Sequence, residues 1–238
     1  DTQVDGVNVV LNDVQINDTG RFIYATGVFG YIGQRSKVHN VDLDVVKLYP
    51  ANNHSESWFA GVFNSTYNSS SSHIVIQKLN VEYQDIILPL HNTNAYYSPN
   101  SHIFGIGYSN NSRLEDIDIN IVKLTNETKD IESLLYEGID SNHSISLGFN
   151  STGSYSDIYR FHATFKDIQI NSIVSDISIS DLDEMIDDDH CNWMYFSSPI
   201  SVYGLTYSTY RGNIHESTIQ ISNITAPEPI SNSMCGEY

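Results

Sequence analysis

Val7-Asn8-Val9-Val10-Leu11-Asn12-Asp13-Val14-Gln15-Ile16 decides the fold, because the chain writes this segment twice more. It returns as Leu79-Asn80-Val81-Glu82-Tyr83-Gln84-Asp85-Ile86-Ile87-Leu88 and as Phe161-His162-Ala163-Thr164-Phe165-Lys166-Asp167-Ile168-Gln169-Ile170. Apolar residues alternate in each copy, as in Val7, Val9 and Leu11. An Asp (Asp13, Asp85, Asp167) then falls on the apolar parity, and the apolar side moves to the other parity (Val14, Ile16; Ile86, Leu88; Ile168, Ile170). Period-two alternation marks a half-buried strand, and a one-residue slip of phase marks a β-bulge or a strand changing faces.

Other elements recur in the same order. Val28-Phe29-Gly30, Ile103-Phe104-Gly105 and Val202-Tyr203-Gly204 each precede a further strand signature. That signature runs Val41-Asp42-Leu43-Asp44-Val45-Val46-Lys47-Leu48, then Ile117-Asp118-Ile119-Asn120-Ile121-Val122-Lys123-Leu124, then a degenerate form around Ile219, Ile221 and Ile224. A fourth element occurs twice, with Glu56-Ser57-Trp58-Phe59 and Phe63-Asn64-Ser65-Thr66 matched by Glu132-Ser133-Leu134-Leu135 and Phe149-Asn150-Ser151-Thr152. Together they predict an all-β chain of three repeats over 1–78, 79–160 and 161–238, packed as one rigid body. The expected architecture is an antiparallel β-sandwich, with brief helix only around 181–187 and 129–136.

The array is incomplete at its end, since the fourth element has no copy after the third repeat. An incomplete sheet leaves an edge that must be managed, and a neighbouring chain can supply the missing strand. The exchanged piece expected here is Asp1–Gly6 with the first strand. The plainer alternative is a cap formed by the tail 226–238.

Composition bounds the function. Net charge is −18 with only 11 Lys plus Arg, so the chain lacks the electrostatic footprint of a nucleic-acid binder. No apolar run is long enough for a membrane span. Charged residues make up only 17%, and Asn, Ser, Thr and Tyr take their place, as on secreted surface proteins. Asp1 in place of Met fits a chain matured by signal-peptide removal. Sequons stand at Asn17, Asn53, Asn64, Asn68, Asn110, Asn126, Asn142, Asn150 and Asn223, so N-linked glycans and an extracellular location are expected. The only cysteines, Cys191 and Cys235, read as a disulfide in that compartment. It closes a loop of about 45 residues, stabilising by about 4 kcal/mol in the chain-entropy model.

Chemistry is sparse. Asp181, Asp183, Glu184, Asp187, Asp188 and Asp189 gather oxygen ligands in one segment of the third repeat, and Ca²⁺ takes six to eight oxygens. The spacing is not that of an EF-hand, and a solvated acidic loop is the plainer reading; His190 beside it reads as an ordinary surface histidine. The repeated Asp13, Asp85 and Asp167 suit hydrogen bonding at the bulge, with a cation or ligand role as the alternative. Asp42, Asp44, Asp118 and Asn120 are expected on a solvent face. Asp18-Thr19-Gly20 occurs once, where an aspartic protease needs two such triplets. A glycosidase needs only two carboxylates, but nothing in the pattern singles out a pair among 29 acids, and a non-enzyme is expected.

Two functions follow as expectations. The first is a secreted, N-glycosylated structural protein that self-assembles into a filament or surface layer, by strand exchange and with Ca²⁺ support. The second is a multivalent carbohydrate-binding module using tyrosines outside the core pattern, among them Tyr96, Tyr97, Tyr155, Tyr195, Tyr207 and Tyr210.

Overall fold

The structure is a computed structural model. It describes residues 2–15, 22–33, 35–50, 56–66, 74–88, 91–92, 100–103, 107–109, 111–127, 139–140, 143–146, 149–152, 156–169, 200–203, 206–209 and 212–225. The first coil contains β1 (Gln3–Leu11), β2 (Val14–Gln15), β3 (Phe22–Thr26) and β4 (Phe29–Ile32). The second contains β5 (Lys37–Tyr49), β6 (Glu56–Ala60) and β7 (Phe63–Thr66). β8 (Ile74–Leu88), β9 (His91–Asn92), β10 (Asn100–Ile103) and β11 (Gly107–Ser109) form the third. β12 (Ser112–Asn126), β13 (Ile139–Asp140), β14 (His143–Ser146) and β15 (Phe149–Thr152) form the fourth. The fifth holds β16 (Asp157–Gln169), β17 (Ile200–Tyr203) and β18 (Thr206–Thr209), and β19 (Asn213–His215), β20 (Thr218–Ile221) and β21 (Ile224–Thr225) begin a sixth.

Each coil crosses three sheets. The long sheet runs β1-β5-β8-β12-β16, then β19, β20 and β21, with β2 continuing β1. The second runs β17-β14-β10-β6-β3 and the third β18-β15-β11-β7-β4. Strand pairing in all three is parallel, which corrects the antiparallel expectation. Only the short β9–β13 pair is antiparallel among the described strands. The reason for the correction is physical. Alternating apolar and polar residues usually mean an antiparallel sheet with one solvated face, because parallel sheets are normally covered on both. A chain that coils on itself buries one face of a parallel sheet and leaves the other in water.

The sequence signatures now take their places. The segments at 7, 79 and 161 are β1, β8 and β16, and the signatures at 41 and 117 are β5 and β12 between them. Val41, Leu79 and Ile117 are mutual Cα partners at 38-residue intervals. What reads as two element types is one strand on successive coils.

Inward columns form the core. Val41, Leu79, Ile117 and Phe161 line up in one, and Val45, Tyr83, Ile121 and Phe165 in another, with none more than 1% exposed. Fully burying each such side chain stabilises by about 1.5–3 kcal/mol. Phe63 and Val62 from the third-sheet side complete the packing. Gly27 sits where a Cβ would lie 2.6 Å from both the Gly61 carbonyl and a Leu43 methyl, so only glycine fits. At the corner where the third sheet feeds the long one, buried polar groups satisfy each other. Ser112 Oγ lies 3.0 Å from Thr66 Oγ1, and the Ser112 N–H donates to Ser156 Oγ at 3.3 Å.

The strands of the long sheet break phase twice. The first break stacks Asn40, Lys78, Asp116, Arg160 and Glu216, all with φ of 52–57°, above Gly6 at 72°. Six left-handed residues in one column turn each strand by the same amount, leaving two successive side chains outward before alternation resumes. The second break is the slip at Asp13, Asp85 and Asp167.

Candidate functional site

The outer face of the long sheet carries ordered polar columns, its strands about 4.8 Å apart. At the second break Lys47 partners Asp85, and Lys123 partners Asp167. The flanking pairs Leu11–Val45 and Val14–Leu48 set Asp13 opposite Lys47, and Phe165–Ile221 with Ile168–Ile224 set Asn223 opposite Asp167. The column therefore reads Asp13, Lys47, Asp85, Lys123, Asp167, Asn223. Lys123 Nζ lies 3.7 Å from Asp85 Oδ1, and Asn223 Nδ2 donates to Asp167 Oδ1 at 2.8 Å. Tyr49 beside it, and the carboxylates of Asp13 and Asp85 further off, hold the Lys47 ammonium above its ordinary pKa. The repeated Asp residues belong to a charge-alternating ladder whose cationic members lie on the intervening coils. Aligning 41–48 with 7–14 in the sequence would have found them.

At the first break Glu115 is buried yet fully partnered. It accepts from Gln77 Nε2 at 2.5 Å, pairs with Arg113, and stands 3.6 Å from Arg160 Nη2. Arg160 Nε also bonds Asp116 at 2.5 Å, and that bond holds the Asp116 carboxyl below its usual value against a smaller effect of burial. Tyr159 takes the Arg113 guanidinium on its ring and stacks on His215, with centroids 4.7 Å apart and planes 8° from parallel. Each carboxylate of this network has a donor, which makes it a structural clasp.

Between the two breaks lies an open trough of ≈ 450 Å³. Its floor is two columns: Asn8, Asp42, Asn80, Asp118, His162 and Val10, Asp44, Glu82, Asn120, Thr164. In the first, acids alternate with amides and Asn80 Nδ2 donates to Asp42 Oδ1 at 2.6 Å. The second departs from alternation, since Asp44 partners Glu82 directly. Asp44 Oδ1 and Asn120 Oδ1 are enclosed there without a hydrogen-bond donor from the protein. The trough can therefore accept hydrogen bonds along the coil axis, but no aromatic side chain lines it for stacking on a sugar ring.

The two ends of the long sheet form the other candidate surface. Among the described strands β1 pairs only with β5, and β19–β21 pair only with β16. Ile219, Ile221 and Ile224 continue the inward columns but are 36%, 45% and 59% exposed. At the other end Val4, Val7, Val9, Leu11 and Val14 are only partly covered. Exposure of large aliphatics is otherwise confined to Val10 on the trough and Val- and Ile-free turns such as that of Tyr31, among the described residues.

Several expected sites fall elsewhere. Asp181, Asp183, Glu184, Asp187, Asp188, Asp189, Cys191 and Cys235 lie outside the described residues, as do Asn17, Asn53, Asn68, Asn110 and Asn142. Tyr96, Tyr97, Tyr155, Tyr195 and Tyr210 do too, and both expected helices. Asn64 and Asn150 stand on β7 and β15. Asn126 is only 4% exposed, so a glycan there must be added before folding, whereas Asn223 is exposed. Asp42 and Asp118 are on the solvent face as expected, with Asp44 and Asn120 half-buried beside them. Among the described residues no group of three or more His, Cys, Asp or Glu is placed to hold a metal, and no helix is long and apolar enough to cross a membrane.

Compared with known proteins, the chain matches no family model, no curated protein and no solved structure.

Proposed function

We propose that this chain is a non-enzymatic, extracellular structural protein that associates with copies of itself into a filament or surface layer. The observation that carries this reading is the pair of open ends on the long sheet, where Ile219, Ile221 and Ile224 leave the core columns exposed. Unpaired backbone beside exposed aliphatics is a template for strand addition. N-linked glycans on the sequons fit the same setting, and the acidic segment 181–189 is the proposed place of Ca²⁺ support. The test is the mass of the secreted protein by light scattering, with calcium and then with chelator. Assemblies far above the 26.8 kDa of one chain support the reading, and a concentration-independent monomer rejects it.

A second reading, carbohydrate binding, is favoured by one feature. The acceptor-rich trough, with Asp44 Oδ1 and Asn120 Oδ1 lacking donors, suits a hydroxyl-rich chain lying along the coil axis. A glycan-array screen with Asp44→Ala as control tests it.

A further inference from the structure

The geometry points to a specific contact for that self-association: β1 of one copy adds in parallel to the β20–β21 edge of the next. This inference rests on the self-association reading and names its interface. The occupant is a second copy of the chain because the two ends of the long sheet complement each other column by column.

Each column can be followed from β1 to the last strand. Val9 leads through Leu43, Val81, Ile119 and Ala163 to Ile219, and Leu11 through Val45, Tyr83, Ile121 and Phe165 to Ile221. Val14 leads to Ile224 by the same route. A second copy continuing the sheet sets its Val9, Leu11 and Val14 against the exposed Ile219, Ile221 and Ile224, so apolar surface left open at both ends is buried. A shift by one residue would turn those aliphatics to water, so the pattern fixes one alignment.

The polar columns agree. Asp5 belongs to the column of His39, Gln77, Glu115, Tyr159 and His215. The incoming Asp5 therefore meets His215. Its Asp13 meets Asn223, whose amide already gives one N–H to Asp167 and has a second to offer. Asn8 meets Thr218, Val10 meets Gln220 and Gly6 meets Glu216, so no two acids face each other on a chain of net charge −18. Joining two copies through their β1 edges would instead gather four Asp carboxylates. The contact is thus head to tail, and because its two surfaces differ it repeats into an open filament.

The test uses Ile221→Lys/Ile224→Lys, whose positions are exposed, so the fold is retained and circular dichroism is unchanged. Wild-type chains are expected to form polymers by light scattering and electron microscopy, and the double variant alone to form at least tenfold less. Mixed with wild type, the variant still offers an intact β1 and is expected to shorten polymers by ending them. Polymers from the variant as long as those of wild type would overturn this interface while leaving self-association standing. Monomeric wild type under every condition would remove the reading and the interface together. Val9→Lys, at the opposite end, is a second check: equal mixtures of the two variants are expected to stop at dimers, and filaments from that mixture would overturn the contact.

Discussion

Lys123 and Asp85 face each other across adjacent strands of the long sheet, ammonium to carboxylate at 3.7 Å, with Asp167 on the lysine's other side. Lysine thereby serves two acids at once. Replacing it by glutamate places three carboxylates in a row. Lys123→Glu is expected to destabilise by about 1 kcal/mol, and Lys123→Gln by less, because these side chains are partly solvated and screened. Urea unfolding at low and high salt checks this; the gap between the variants should shrink as salt rises.

Asp44 and Glu82 make the opposite case, two acids paired where neighbouring columns alternate. Glu82→Gln is expected to raise stability by a few tenths of a kcal/mol up to about 1 kcal/mol, most clearly at low ionic strength. Thermal melts of the two proteins side by side decide it. A fall in melting temperature would mean that Glu82 makes a favourable contact that outweighs the repulsion.

Tyr83 gives the alkaline limb of stability. Burial raises its hydroxyl pKa well above 10.0, so the folded chain keeps the proton after the unfolded chain begins to lose it. Its contribution is complete below pH 10 and is lost as pH rises from there towards the folded value. Tyr83→Phe is expected to make the alkaline unfolding curve shallower, read by fluorescence or circular dichroism against pH. Tyr83→Ala should instead cost about 3–5 kcal/mol at every pH, as a large core cavity does.

Gly27→Ala tests the closeness of the coils. The added methyl meets the Gly61 carbonyl and Leu43 at 2.6 Å, and one of those atoms is backbone that cannot rotate away. A loss of about 1–3 kcal/mol is expected in denaturant unfolding. Gly30→Ala, where no atom lies within 4 Å of the new Cβ, is the matched control and should change little.

The strands and their faces were legible in the sequence, because alternation depends only on which neighbours are buried. Val41, Leu43 and Val45 announce their inward side, and Asp42 its outward side. The slip at Asp13, Asp85 and Asp167 was legible too. The direction of pairing was not, since a strand's own residues carry the same pattern whether its neighbour runs with it or against it. Lys47 and Lys123 escaped notice as ladder members for a related reason: their columns exist only once coils at 34- to 44-residue offsets are stacked (Val7, Val41, Leu79, Ile117, Phe161). The left-handed column was hidden as well. Asn40 is a usual residue for that conformation, but Lys78, Arg160 and Glu216 are not, and only the shared backbone of the coil imposes it on them.

Between the long sheet and the second sheet, six residues separate Gln15 from Phe22, and thirty separate Gln169 from Ile200. The turn from second sheet to third stays short throughout, from Thr26 to Phe29 in the first coil and from Tyr203 to Thr206 in the fifth. Length is thus free to vary at one corner and held at the next. Because closing a longer loop adds little entropic cost, and each coil touches only its neighbours, that corner works as a docking port on a fixed frame. New sequence can be spliced in there, coil by coil, without disturbing a single strand partner.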